Sequence, residues 1–452
     1  MIPANLKYQS KVESAPARRY LTQIQPQGGT GNYNPGDTIT INIPTRNNTA
    51  LIPSESYLKG QFNLIATTAS TSSTLESCGW HQFIQRVRVF HGSNLLEDID
   101  NYGQLAKILY DYQAPDDAVK GRFSITSGTN EDYSGIGTGA AALQNVRSVN
   151  RGRALGALPI SAVGTPFSFA INLVSLVGAL AGEKYLPLWE MTAAPLRVEI
   201  VLQSTLLNAM MVEGGAGLSF TASGVNYCGE FLELPDSAVA AIKAGSSSPM
   251  QMVLPSWRSY TNSAALANGV QTQVSFPIPA KFSSLKNLLV VTRGPQSGTT
   301  AHYPSSHCAF GVGSANSSGY QFRVGSEVLP STAPTTFSEI YSEAVKCFGS
   351  LADMNLQPSI DLTAFTLNVP NTVAGLTEAS IEDSGAFTIG IDMEIYQNAD
   401  KSSIFAGTNT NTSDIFAIIN YFANSAFTVR QTAFACYDQV LVYENGVCYS
   451  RY

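Results

Sequence analysis

The chain has 452 residues, with 26 Lys and Arg against 33 Asp and Glu, for a formal net charge of -7. Charged residues make up only 13%, about half the share usual in soluble domains, while the apolar 44% is ordinary, so a mostly disordered chain is excluded. The acidic balance excludes a surface wholly given to nucleic acid, and no run of about 20 apolar residues offers a membrane-spanning helix.

In chain order, the first 20 residues stand apart. Lys7, Lys11, Arg18 and Arg19 face only Glu13, with too few apolar neighbours to pack, so 1–20 reads as a basic arm without the apolar stretch of a secretory signal. After the glycine-rich turn at 28–36, residues 38–44 place isoleucine at every second position, 39, 41 and 43, and predict a half-buried strand. Residues 57–67 predict a second strand and 86–90 a third, which Gly92 and Ser93 end in a turn. Ile99, Tyr102, Leu105, Leu109 and Tyr112 then recur at three and four residues, which predicts a helix capped by Asp98 and stopped before Pro115. Residues 124–150 read as surface loop, and 167–176, 196–203 and 225–234 as strands. The most apolar stretch, 170–182, is too short to cross a bilayer and reads as a core strand running into a turn. Pro235 and Asp236 open a short helical pattern through Ile242, and the Gly/Ser/Pro run at 245–249 marks a domain boundary.

The second half repeats this vocabulary. Strands are expected at 273–279, 285–292, 321–324, 387–394, 414–422, 437–444 and 447–452, with Asn445-Gly446 as a hairpin turn. Thr336 and Glu339 have the spacing of a capping box at the head of a helix over 336–348. A strand, a Gly-Ser turn, an apolar pair and a helix therefore occur twice, with Gly92 and Gly325 233 residues apart, which points to two similar β domains.

Chemistry is harder to find. No zincin motif, Walker A loop or nucleophile elbow occurs, and Gly135, Gly137 and Gly139 follow no strand. His302, His307 and Cys308 come nearest to a metal cluster but lack a second ligand pair and read as solvated loop. His81 and His91 read as strand-edge residues, and Asp98, Asp100, Asp111, Asp116 and Asp117 as a solvated acidic face around the first helix. Six cysteines without a C-x-x-C pair are expected to stay reduced. Neither catalytic residues nor a cofactor or metal are expected, and the chain does not read as an enzyme.

The order of these elements resembles the double jelly-roll major capsid proteins of tailless icosahedral DNA viruses, a lineage spanning bacteriophages and polinton-like and adenovirus-like viruses. The resemblance rests on residues 36–44, on Glu55 to Lys59, on 84–110, on 184–189 with 196–200, and on 320–348 and 434–442. It implies an all-β fold of two tandem eight-stranded jelly rolls, each with a short helix: arm 1–20, first jelly roll 21–235, helical linker 236–250 and second jelly roll 251–452. It further implies a homotrimer whose six lobes tile a hexagonal lattice, meeting neighbouring capsomers, penton and minor capsid proteins in a virion made in the host cytoplasm. Loops 124–150 and 299–318 would crown the shell. The arm, with Lys7, Lys11, Arg18 and Arg19, would face an internal lipid membrane or the genome. Two other classes stay open, a cell-surface or secreted β-sandwich lectin or adhesin and a glycan-active enzyme on a double sandwich.

Overall fold

The computed structural model describes residues 17–67, 72–115, 122–128, 165–294, 307–352, 385–396 and 405–452, apart from breaks at 30, 214–215, 247–248 and 424–425, with 118, 358, 360 and 365 as isolated positions. The first lobe contains β1 (Arg18–Ile24), β2 (Thr38–Ile43), β3 (Thr49–Leu51), β4 (Tyr57–Ile65), β5 (Ser72–Leu75), β6 (Ile84–His91) and β7 (Asn94–Asp100). Helix α1 (Tyr102–Gln113) follows, then β8 (Thr165–Ile171), β9 (Leu186–Pro187), β10 (Leu196–Leu202), β11 (Met210–Glu213) and β12 (Ser219–Glu233). Helix α2 (Asp236–Gly245) leads to the second lobe: β13 (Met250–Leu266), β14 (Gln271–Ile278), β15 (Leu285–Arg293), β16 (Tyr320–Val324) and β17 (Glu327–Leu329). Helix α3 (Phe337–Lys346), β18 (Ile389–Asp392), β19 (Ile415–Phe422), β20 (Phe427–Glu444) and β21 (Val447–Arg451) complete it.

Strand order makes the two lobes equivalent. In the first, one sheet runs β1-β12-β4-β8 and the other β2-β10-β6-β7. In the second, the orders are β13-β20-β15-β18 and β14-β19-β16-β17. Both follow one antiparallel scheme, two four-stranded sheets per lobe, which is the eight-stranded jelly roll. One addition corresponds as well, β3 along the end of β12 and β21 along the end of β20, whereas β9 beside β3 and the β5–β11 pair belong to the first lobe alone. The fold is therefore all-β, two jelly rolls in tandem.

Local sequence explains the sheets. In β2 the isoleucines at 39, 41 and 43 face the core and the residues between them face outward, the period-two pattern of a half-buried strand. β15 is instead buried from Leu285 to Thr292, because its second face is covered as well. Leu289, Ala344 and Cys347 converge on Gly390, where a side chain would meet them at 2.9–3.1 Å, so α3 lies directly on the β15–β18 pair. Gly92 and Gly325 both take φ near +60° at the β6–β7 and β16–β17 turns, and Asn445 and Gly446 turn β20 into β21 with positive φ, as a two-residue hairpin demands. Thr336 and Glu339 form the expected capping box on α3. No helix among the described residues is long and apolar enough to cross a membrane.

Several expectations need correction. Asp98 does not cap α1; it is in β7, bound to Arg86, and Asn101 in the left-handed region precedes the helix. Ile99 accordingly belongs to the strand. Arg18, Arg19 and Tyr20 are not arm but the start of β1, held by pairing with Glu233, Leu232 and Phe231. β13, 17 residues long and containing Pro255, has no counterpart in the sequence reading. Residues 129–150 of the expected surface loop lie outside the described residues, whereas Ser127 is buried against the first lobe.

Candidate functional site

The segment that runs from the end of β6 through β7 into α1 is the joint between the lobes. At the β6–β7 turn, Cys448 N–H donates to His91 Nδ1 at 3.0 Å. Because Nδ1 accepts, the proton sits on Nε2, which donates to Met191 O at 3.2 Å. Asn94 donates to Cys448 O at 3.1 Å, Ser450 Oγ to Leu95 O at 3.3 Å, and the Gln439 amide to Leu96 O. Further on, Arg293 reaches Asn101 Oδ1 at 3.4 Å and His307 Nε2 meets Gln104 Oε1 at 2.5 Å. At the far end Tyr112 stacks on Phe348 with ring centroids 4.9 Å apart. Backbone and side-chain contacts to the second lobe thus follow one another along one strip from residue 91 to 112. A single apolar cluster extends through both lobes around it.

Three buried polar groups lie in or beside this strip. Glu97 accepts from Ser175 Oγ, from Leu176 N–H at 3.0 Å and from Ser256 Oγ of the second lobe at 3.4 Å. Burial pushes its pKa up to about 7, opposed by those hydrogen bonds. Lys107 sits in the first lobe with Glu76 and Asp111 each 3.2 Å from Nζ. Burial alone would lower its pKa, but the two carboxylates outweigh it and keep the ammonium charged. His81 bonds the hydroxyls of Tyr102 at 2.9 Å and Tyr110 at 3.1 Å, and burial lowers its pKa to about 3, so it stays neutral.

Several of the residues singled out in the sequence are held in buried contacts. His81, His91, His307 and Cys308 are all buried rather than solvated, with His91 closing β6 and Cys308 in a buried loop, and Asp111 is the partner of a buried lysine, not part of a solvated face. Among the described residues no group of three or more His, Cys, Asp or Glu could hold a metal, and all six cysteines are free thiols. Lys7, Lys11, His302, Asp116 and Asp117 lie outside the described residues. Arg19 is engaged by Glu230 at 2.5 Å and Glu55 at 3.1 Å, and Arg18 lies over the Tyr20 ring at 5.6 Å. The partners in the second lobe, Ser256, Gln439 and Cys448, carried no sequence signal: each is a lone polar residue in a strand whose neighbour is set by the fold of the other half.

The outward face of the β2-β10-β6-β7 sheet is polar and laddered. Arg86 grips Asp98 with two bonds of 2.7 and 2.6 Å, Arg88 reaches Glu199 at 2.8 Å, and Arg197 covers Phe90 at 4.5 Å. The equivalent sheet of the second lobe places Arg323 over Phe416 at 4.7 Å.

No protein-family model matches the chain, and no curated protein matches it by sequence. Solved structures do. The mavirus major capsid protein is 12% identical, with 100% of this chain and 93% of that chain covered at a TM-score of 0.61. A chain of the Sputnik virophage structure is 10% identical, covering 100% and 91% at 0.62, and one of the PBCV-1 virus capsid 10% identical, covering 99% of each at 0.61. At such identities the likeness establishes the fold, the double jelly roll of viral major capsid proteins, over essentially the whole chain.

Proposed function

We propose that this chain is a major capsid protein that forms homotrimers and assembles with further copies into an icosahedral shell around a DNA genome. The observation that carries this reading is the tandem of two jelly rolls with one strand order, joined by an extensive buried strip. Six similar lobes from three chains approximate a hexagon, so a threefold object can tile a hexagonal lattice. The charge-poor composition agrees, because obligate interfaces bury on the order of 2,000–5,000 Å² and are depleted in charged residues at their centres. The role is structural: packing within the trimer, weaker contacts between trimers and to penton and minor capsid proteins, and closure by symmetry. Residues 1–17, with Lys7 and Lys11, form the inner arm, directed at the genome or an internal lipid layer. Light scattering of the purified chain should give three times the 48.2 kDa chain mass, and electron microscopy of concentrated protein should give shells or hexagonal sheets. A chain that stays at 48.2 kDa and yields neither would overturn the reading.

A further inference from the structure

Lys107, Glu76 and Asp111 bring a nucleophile and two carboxyl groups together where water does not reach. Lys107 and Asp111 are one turn apart on α1, so their side chains share a face of the helix. Glu76 comes from the segment that follows β5. All three residues are at most 2% exposed, and Nζ is 3.2 Å from both Glu76 Oε2 and Asp111 Oδ2. Ser77 Oγ accepts from Nζ at 3.2 Å and bonds Asp111 as well, which fixes the amine against that carboxyl. Beside the trio, burial keeps the Cys78 thiol protonated and the His307 ring neutral. Fully ionised, the trio would hold a surplus negative charge in the core, which is costly. Burial raises the Asp111 pKa against the pull of Lys107, so a proton on Asp111 relieves that surplus. The trio then consists of an ammonium, a carboxylate on Glu76 and a carboxylic acid on Asp111.

We propose that Lys107 and Asp111 join in an intramolecular amide, which the chain forms on itself with Glu76 as the base. Glu76 takes a proton from the ammonium, and Nζ attacks Asp111 Cγ with the freed electron pair, forming the C–N bond. The C–OH bond then breaks as Glu76 returns its proton to the departing hydroxyl and takes a second one from the nitrogen. One water leaves, and neither an oxidant nor another reactant enters. Reacting groups held about 3–3.5 Å apart reach effective concentrations on the order of 10^5 M or more. The product replaces buried ions, which are expensive to desolvate, with a neutral amide and a neutral acid. The link staples α1, the helix whose Gln104 and Tyr112 meet the second lobe. It is independent of the capsid reading.

Mass spectrometry of the denatured full-length chain tests this. The unaltered protein should weigh one water less than its sequence. Trypsin should not cut after Lys107, so residues 89–120 should emerge as one fragment, also one water light. Glu76→Gln removes the base while leaving Lys107 paired with Asp111, and should restore both the full mass and cleavage after Lys107. Lys107→Arg should show the full mass too, with circular dichroism verifying the fold of each variant. The measurement on the unaltered chain decides the matter even where a variant misfolds. Full mass with cleavage after Lys107 would overturn the proposal. So would a lost water with Lys107 still open to trypsin, which marks a cyclic imide at Asp111 instead. A fragment joining Lys107 to Glu76, or a link that persists in Glu76→Gln, would overturn the roles assigned to the two carboxyl groups.

Discussion

Glu97 and Lys107 solve the same problem in opposite ways. Lys107 is buried with two carboxylates at 3.2 Å, and removing either partner type would leave an uncompensated charge in the core, which costs several kcal/mol. Glu97 is surrounded by hydroxyl and amide donors, and Asp98 nearby raises its pKa further, with the neutral phenols of Tyr102 and Tyr437 also facing it. Its folded pKa of about 7 lies above the ordinary carboxylate range, so the folded state holds the proton more tightly than the unfolded one. The stabilisation is complete below the unfolded pKa and is lost as pH rises through about 7, a change on the order of 3 kcal/mol. Urea midpoints should therefore fall between about pH 5 and pH 8 in the native chain, and this slope should flatten in Glu97→Gln. Equal slopes in the two proteins would show that Glu97 stays ionised in the junction.

At the scale of elements, α3 offers the cleanest test of local coding. Thr336 Oγ1 accepts from Glu339 N–H at 3.3 Å, while Glu339 Oε2 accepts from Thr336 N–H at 3.1 Å and Thr335 N–H at 2.9 Å. Thr336→Ala should lower stability by about 1 kcal/mol without changing assembly, as thermal melts alongside solution mass would reveal. This cap was legible because both partners lie within four residues. For the same reason the strands with strict alternation, β2 and β6, and the Asn445-Gly446 turn could be read directly. β13 could not: part of it is covered by the first lobe and part by its own, so its burial follows no period of two. β1 was hidden by its arginines, since the acidic partners of Arg19 lie 36 and 211 residues away. Likewise His307, buried against α1 across the lobe boundary, carries no mark of that contact in its own Ser/Pro-rich neighbourhood. What the sequence left open are pairings between distant segments; what it disclosed are those made by neighbours.

At the scale of the molecule, the correction at Arg18 sharpens what the amino terminus can do. Arg19 bridges Glu230 and Glu55 and Arg18 begins a seven-residue strand, so both arginines serve the first lobe. Any role in contacting a polyanion therefore falls to residues 1–17 and rests on Lys7 and Lys11. A cation beside an anionic bilayer contributes about 1 kcal/mol, so two of them on one chain bind weakly. On the proposed homotrimer three arms would act together, and effective concentration would then multiply the individual contributions. Deletion of residues 1–16 leaves β1 and its ion pairs intact. It should preserve the mass and melting temperature of the trimer while reducing the yield of closed shells formed on anionic vesicles or DNA. The loss should be mimicked by Lys7→Glu with Lys11→Glu and by raised salt, since the contact is electrostatic. Shells formed in normal yield by the truncated chain would assign closure to the faces between trimers alone.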